Sequence, residues 1–345
     1  MALEVMPAAV YTGSATIVVE EVPIPDVDSG QVLVEVSHCG ICGTDLHLVL
    51  ENRARPGSIL GHEWAGTVAV AGPGAEPWQP GDPVVAAPEP ACGTCRACRR
   101  GRPSSCLRRE PPDYLSFRGA FARYVVVDSH RLARLPLGLS TRTAALTEPT
   151  AVALHGITLA ALEEGDRILV SGAGPIGLLT IALLRARGFY DVTVVEPGSL
   201  RRQRALAVGA TAAIEPAALA VPEMGRTVKQ PFAVVFECSG HAAAAEAALD
   251  QLDFAGTLVF VGTGHDPPRI NHNRVIMLEL TALGAANYDA NGFRTALDVL
   301  ASGALPTDLL IEPADVPLTG LASAMGALSR TEIAGKVLVR PEVTA

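Results

Sequence analysis

The first half of the chain alternates apolar and polar positions in short strokes. TIVVEEV (16–22), QVLVEV (31–36), GTVAVAG (66–72) and YVVVD (124–128) are Val-rich runs divided by turn residues, the pattern of β-strands. No long amphipathic helix separates them, so residues 1–148 read as a β-rich unit. From residue 149 the period changes. DRILVSGAG reads as strand into turn, PIGLLTIALLRAR as helix, DVTVVEP as strand and SLRRQRALAVG as helix, after which FAVVFECSG, HAAAAEAALDQL and GTLVFVG give strand, helix and strand. Continuous apolar strands between helices are buried on both faces, which predicts an α/β, doubly wound parallel sheet over 149–288. The remaining segment, 289–345, gives a helix-like FRTALDVLASG and a strand-like KVLVRP.

Composition narrows the choice. With 345 residues, 49% of them hydrophobic, the chain can bury two cores. A net charge of −9 argues against a nucleic-acid partner and against a polybasic membrane module. The most apolar stretch, ILVSGAGPIGLLTIALL (168–184), is short for a membrane span and broken by three glycines and a proline. It reads as strand, turn and helix, and MALEVMPAAVYTG has neither the basic leader nor the apolar core of a signal peptide. Seven cysteines, an odd and clustered set, predict thiol metal ligands in a reducing compartment, the cytoplasm.

Two motifs carry chemistry. SGAGPIG places Gly172, Gly174 and Gly177 as G-x-G-x-x-G between a strand and a helix that opens with Pro175 and Ile176. The first glycine permits the turn, the second admits a pyrophosphate, the third lets helix and strand close, and the helix N-terminus favours phosphate. Glu196 ends the next strand 19 residues past Gly177, where a carboxylate holds the ribose hydroxyls of NAD. Ser199, Arg201 and Arg202 follow and are candidates for a 2′-phosphate or for the solvent face of a helix. NAD is favoured over NADP. The second motif, CGTCRACRRGRPSSC, sets Cys92, Cys95, Cys98 and Cys106 at a spacing that suits a closed, structural zinc site over about 91–107. Arg96, Arg99, Arg100, Arg102, Arg108 and Arg109 surround it and read as a solvated face in preference to a grip on nucleic acid.

HCGICGTDLH (38–47), GHEWAG (61–66) and TEPTAVALHG (147–156) add cysteine and histidine donors of the kind an open zinc site takes. With GAFARYVVV, FECSG and a terminal GKVLV in the same order, the chain resembles the zinc-containing medium-chain alcohol and polyol dehydrogenases, nearest the sorbitol, butanediol and threonine dehydrogenase branch. That resemblance implies a GroES-like catalytic domain completed by the C-terminal segment, with a Rossmann domain inserted, in a homodimer or homotetramer. It implies a catalytic zinc at Cys42, His62, Glu63 and Glu148, the two glutamates binding directly or through water. Glu148 stands where the liver and yeast enzymes have cysteine. Thr44 and His47 match the family's proton relay, and Asp45 the acid behind the histidine ligand.

The expected activity is reversible hydride transfer between a small-molecule alcohol, secondary or polyol, and NAD(P), with two zinc ions per chain. Competing readings are a zinc-free quinone or enoyl reductase, a non-enzymatic NAD-binding regulator and a zinc-dependent nucleic-acid binder. The substrate pocket is expected from 47–58, 114–117 and 284–292, with Asn287 and Tyr288 as candidates for substrate hydroxyls or for the domain junction. Cys39 and His155 read as packed side chains, and Cys238 as the end of a sheet strand.

Overall fold

The computed structural model describes residues 5–87, 91–108, 118–223, 225–289 and 291–341. Strand β1 (Val5–Gly13) folds back on β2 (Thr16–Pro23) as an antiparallel pair. Next, β3 (Gln31–Gly40) becomes the hub of a seven-stranded sheet. After helix α1 (Gly43–Leu50), β4 (Glu63–Ala71) pairs antiparallel along one edge of β3, and β5 (Pro83–Ala86) lies beyond it. The cysteine-rich loop carries the short α2 (Arg96–Arg99). Strand β6 (Tyr124–Asp128) covers residues 31–35 on the other edge of β3, and β7 (Leu132–Arg134) closes on β5. Flanked on both sides, β3 is buried well beyond simple alternation: Val32, Val34, Val36 and Cys39 are all fully inaccessible.

A short α3 (Thr141–Ala144) leads into α4 (Thr147–Ala160), which carries the chain into the second unit. Pro149 is the third residue of α4, where a missing N–H breaks no helical bond. The junction expected at 148/149 therefore falls inside the first turn of a helix rather than in a linker. Then follow β8 (Ile168–Ser171), α5 (Pro175–Ala186), β9 (Val192–Val195), α6 (Ser199–Val208), β10 (Ala212–Ile214), β11 (Phe232–Glu237), α7 (Ala242–Asp250), β12 (Leu252–Phe260), α8 (His272–Met277) and β13 (Thr281–Gly284). All six strands are parallel, in the order β10-β9-β8-β11-β12-β13. The order reverses between β8 and β11, where an open α/β sheet leaves a crevice for a ligand. Burial on both faces accounts for the continuous apolar runs. Ile168 and Val170 face the core under α4 and α5, and Leu169 faces the core under α7.

The chain then returns. Helix α9 (Gly292–Ala301) packs on α4, and α10 (Thr307–Leu310), β14 (Val316–Pro317) and α11 (Leu321–Ser329) lead to β15 (Leu338–Arg340). Strand β15 pairs antiparallel with the end of β3, Leu338 opposite Gly40 and Val339 opposite Cys39. Gly40 also stands opposite Glu63 on β4. Three segments, two from the first strands and one from the far end of the chain, therefore meet where β3 ends. Among the described residues no helix is long and apolar enough to cross a membrane.

Candidate active site

Cys42 lies two residues past β3, in extended conformation, as the N-cap of α1. Glu63 opens β4 beside it, and His62 stands one residue ahead of the strand. Donor atoms of Cys42, His62 and Glu63 all lie within 4.8 Å of one another. Asp45, 1% exposed, ties the two segments together: it accepts from the Cys42 N–H at 2.9 Å and from the Gly61 N–H at 3.3 Å. The His62 Nδ1 is 3.7 Å from its Oδ1, beyond hydrogen-bond length, so in this arrangement Asp45 is held by backbone amides and acts on the histidine through charge.

Glu63 is fully buried and is held by a residue that motif reasoning did not single out. Lys336, 2% exposed and just ahead of β15, donates to Glu63 Oε1 at 2.7 Å and Oε2 at 2.5 Å, and to the Ile41 carbonyl at 3.1 Å. Its signal was present in the sequence. Lys336 is one of only two lysines and opens the apolar run KVLV, where a cation needs a buried anion.

Glu148, in the first turn of α4, is not within that radius of all three donors. Burial raises its carboxyl to about 7, against the pull of the His62 imidazolium. Burial disfavours the charged form of His62 as well, but the Cys42 thiolate and Asp45 outweigh it and hold the ring well above its ordinary range. A thiol, an imidazole and a carboxylate converging on one partly buried point form a donor set that a divalent cation neutralises, so the residues present fit zinc.

The second cluster is local. Cys92, Cys95, Cys98 and Cys106 bring their sulfurs within 4.8 Å of one another, and all are free thiols. Backbone amides point at them: Cys95 N–H to Cys92 Sγ at 3.3 Å, Cys92 N–H to Cys106 Sγ at 3.3 Å and Leu107 N–H to Cys95 Sγ at 3.4 Å. Such donors favour thiolate; those of Thr94 and Cys95 lower Cys92 to about 6, whereas burial and the neighbouring sulfurs push Cys98 up to about 11. Four sulfurs leave no open position, the character of a structural site.

At the end of β8, Gly172 has φ 94°, and a Cβ on Gly177 would stand 2.0 Å from the Gly172 carbonyl, whereas one on Gly174 would meet nothing. The open side of that turn and the backbone N–H groups of α5 from Ile176 on, Pro175 at the first position carrying none, form a cradle that fits a pyrophosphate. Glu196, 3% exposed, accepts from the Ala173 N–H at 2.9 Å and the Gly198 N–H at 2.8 Å, so its carboxylate is fixed beside the turn. Arg201 points elsewhere. Its guanidinium donates to the Ile333 carbonyl at 3.0 Å and the Leu328 carbonyl at 3.4 Å, fastening α6 to the C-terminal segment. Arg202 donates to the Glu196 and Pro197 carbonyls and to Glu215.

Residues 28–137 match the alcohol dehydrogenase GroES-like domain, and residues 175–302 match the zinc-binding dehydrogenase domain. Sorbitol dehydrogenase of Bacillus subtilis is 32% identical over 89% of both chains. (R,R)-butanediol dehydrogenase of the same organism is 32% identical over 97% of this chain and 100% of its own. The chain belongs to the zinc-binding alcohol dehydrogenase family. A zinc-binding dehydrogenase structure from Sinorhizobium meliloti, bound to NADP, superposes with TM-score 0.84 at 30% identity, over 98% of this chain and 100% of that one.

In this dehydrogenase Thr44 and His47 share a face of α1, as their spacing requires. His47 Nδ1 lies 2.6 Å from Glu51 Oε1, and its Nε2 lies 3.2 Å from the Thr263 carbonyl in the loop after β12. Cys39 is fully buried and Cys238 follows β11, where burial pushes its thiol far up. His155, 3% exposed in α4, faces Asp289 at 3.1 Å and is a packed histidine. Tyr288 packs in the core at 5.7 Å from the Phe293 ring, while Asn287 is exposed with φ 56°. Residues 114–117, expected to line the pocket, lie outside the described residues. A cavity of about 610 Å³ opens between the four-cysteine lobe, where Cys98 lines it, α4 and α9, but none of Cys42, Thr44, His47, His62 and Glu63 lines it, so the candidate active site is defined by its donors and not by that void.

Proposed function

We propose that this zinc-dependent oxidoreductase interconverts a secondary alcohol or polyol and the corresponding ketone, with NAD as its preferred cofactor and two zinc ions per chain. The observation that carries this reading is the convergence of Cys42, His62 and Glu63 on one point, in a chain whose other unit holds an open glycine turn beside a fixed carboxylate. When bound, zinc supplies Lewis-acid polarisation of the alcohol oxygen and the nicotinamide supplies the hydride acceptor. The chain's own part is positional. Cys42 and His62 ligate the metal, with Glu63 and Glu148 as the carboxylates that complete or back the site. Thr44 holds the substrate proton and His47 moves it toward solvent. The favoured substrate class rests on Glu148 at the third-ligand position and on the sorbitol and butanediol dehydrogenase relatives.

The preference for NAD is supported by Glu196, whose carboxylate opposes a 2′-phosphate, and by the engagement of Arg201 and Arg202 with carbonyls and Glu215. We assign residues 1–148 and 289–345 to the catalytic domain and 149–288 to the cofactor domain, with α4 spanning the first junction. We also infer a homo-oligomer in the cytoplasm. Strand β13 is an exposed sheet edge near exposed Phe254, Ile276 and Met277, and such an edge is satisfied by a second copy. All seven cysteines are free thiols. NADH formation on a panel of polyols, secondary and primary alcohols and threonine tests the proposal. Turnover confined to primary alcohols overturns the substrate class, and none on any alcohol favours a regulator.

A further inference from the structure

Thr44, His47 and Glu51 recur at spacings of three and four along α1 and its C-cap, so they line one face. The two ring nitrogens of His47 meet different partners: Nδ1 stands 2.6 Å from Glu51 Oε1 and Nε2 stands 3.2 Å from the Thr263 carbonyl. Both are oxygens that only accept. A neutral imidazole donates through one nitrogen, so meeting both contacts requires the imidazolium. Glu51 balances that charge, and the hydrogen bond from His47 holds its carboxyl below the usual value against slight desolvation. The other charges facing the pair are Arg53, 3.6 Å from Glu51 Oε2, and His265 from the cofactor domain. The side chains of His47 and Glu51 are 33% and 32% exposed, so the pair touches both the interdomain cleft and bulk water.

We propose that Glu51 is a positioning residue of the proton relay, orienting the His47 ring through Nδ1 and stabilising its protonated form. The inference rests on the relay reading of Thr44 and His47. In alcohol oxidation a proton arrives on Nε2 of the neutral ring, forming N–H there and making the imidazolium. The Nδ1–H bond then breaks, its proton passes to Glu51 or to water, and the ring is neutral again with its tautomer exchanged. No electrons are transferred in these steps. Nε2 accepts only after a hydroxyl donor replaces the Thr263 carbonyl, so the contact across the cleft also marks a resting arrangement of the ring. An ordinary helix-surface pair at this spacing has no such link to the cofactor domain.

The test is Glu51→Gln in the zinc-loaded enzyme, with His47→Gln as reference. Removing the carboxylate takes away the charge that Nδ1–H faces, so the ring-nitrogen NMR shifts of His47 in the substrate-free protein at neutral pH move from those of an imidazolium toward those of a neutral ring. The acid limb of the kcat/KM profile for alcohol oxidation moves to lower pH, with the NADH Kd unchanged. Adding Glu51→Gln to His47→Gln produces no further change. Unmoved His47 ring-nitrogen shifts, or moved shifts with an unmoved limb, overturn the role of Glu51. If His47→Gln itself leaves the profile unaltered, the relay reading fails, and this inference with it.

Discussion

The two metal-type clusters of this chain are built in opposite ways. The four-cysteine site comes from one loop of 15 residues, 92–106, whose own amides support its sulfurs. The Cys42–His62–Glu63 site exists only because the register of β3 against β4 and β15 places Gly40, Glu63 and Leu338 side by side. One is local, four sulfurs gathered within a single loop. The other is a product of the whole fold, includes a buried lysine from position 336, and lies where a second domain can reach it. A local cluster tolerates change elsewhere, whereas a distributed one reports on the entire catalytic sheet.

Breaking each site separately sharpens that contrast. The largest effect is expected from Cys42→Ser. Loss of a supporting contact to a metal ligand already costs about 10–100-fold, so loss of the ligand itself is expected to cost alcohol turnover more than about 100-fold, with NADH binding, read by fluorescence, retained. Next is Lys336→Met. Leaving Glu63 buried without its partner is expected to cost about 3–5 kcal/mol in the metal-free protein, measured by urea unfolding. Zinc offsets part of that loss, because a cation then faces the same carboxylate. In the lobe, Cys98→Ser is expected to remove one metal ion and lower Tm by roughly 5 °C, the scale of ~2 kcal/mol in a domain of this size. Proteolysis within 91–107 should accelerate, while kcat on the best substrate stays within about threefold.

A pH series separates the sites more finely. Burial raises Glu148 to about 7, above the unfolded carboxyl, so the folded metal-free protein keeps a proton that the unfolded chain releases. Its contribution to stability is complete below the unfolded value near 4.5 and is lost as pH rises toward 7. The raised imidazole of His62 acts in the same sense, losing its contribution as pH climbs past its folded value. Glu148→Gln should flatten the decline between pH 4.5 and 7 in urea-unfolding measurements on metal-free protein. The smallest expected change is at Arg201. Because its guanidinium is bound to the Ile333 and Leu328 carbonyls, Arg201→Gln should leave the KM for NAD within about twofold in steady-state assays.

What could be read from the sequence follows the same division. The cofactor domain was largely legible, since buried strands and 12-residue helices impose long, distinct periods: the helix expected over 175–187 spans Pro175–Ala186, and the strand expected over 232–240 stops earlier, as Phe232–Glu237. The three-residue β10 escaped, being too short to show a period. In the catalytic half β2, β3, β4, β6 and β15 were visible, but β1, β5, β7 and β14 were not, and neither was any pairing. Lys336 meets Glu63 only through the β15–β3 register, a contact 273 residues apart that no local pattern announces. Arg201 was expected beside the cofactor because it follows Glu196 closely, yet α6 turns its guanidinium toward the C-terminal segment. Tyr288, a candidate for substrate hydroxyls, is packed in the core beside Phe293.

The central claim is that one chain carries two metal sites with separable roles, the distributed one for chemistry and the local one for structure. Zinc content by plasma emission spectroscopy, taken with NADH formation on the same samples of the unmodified enzyme and of Cys42→Ser, tests it most directly. Two zinc ions per chain are expected in the active enzyme, and one in an inactive but folded Cys42→Ser. A single zinc in the active enzyme, or a Cys42→Ser chain that keeps two and turns over, would contradict the account.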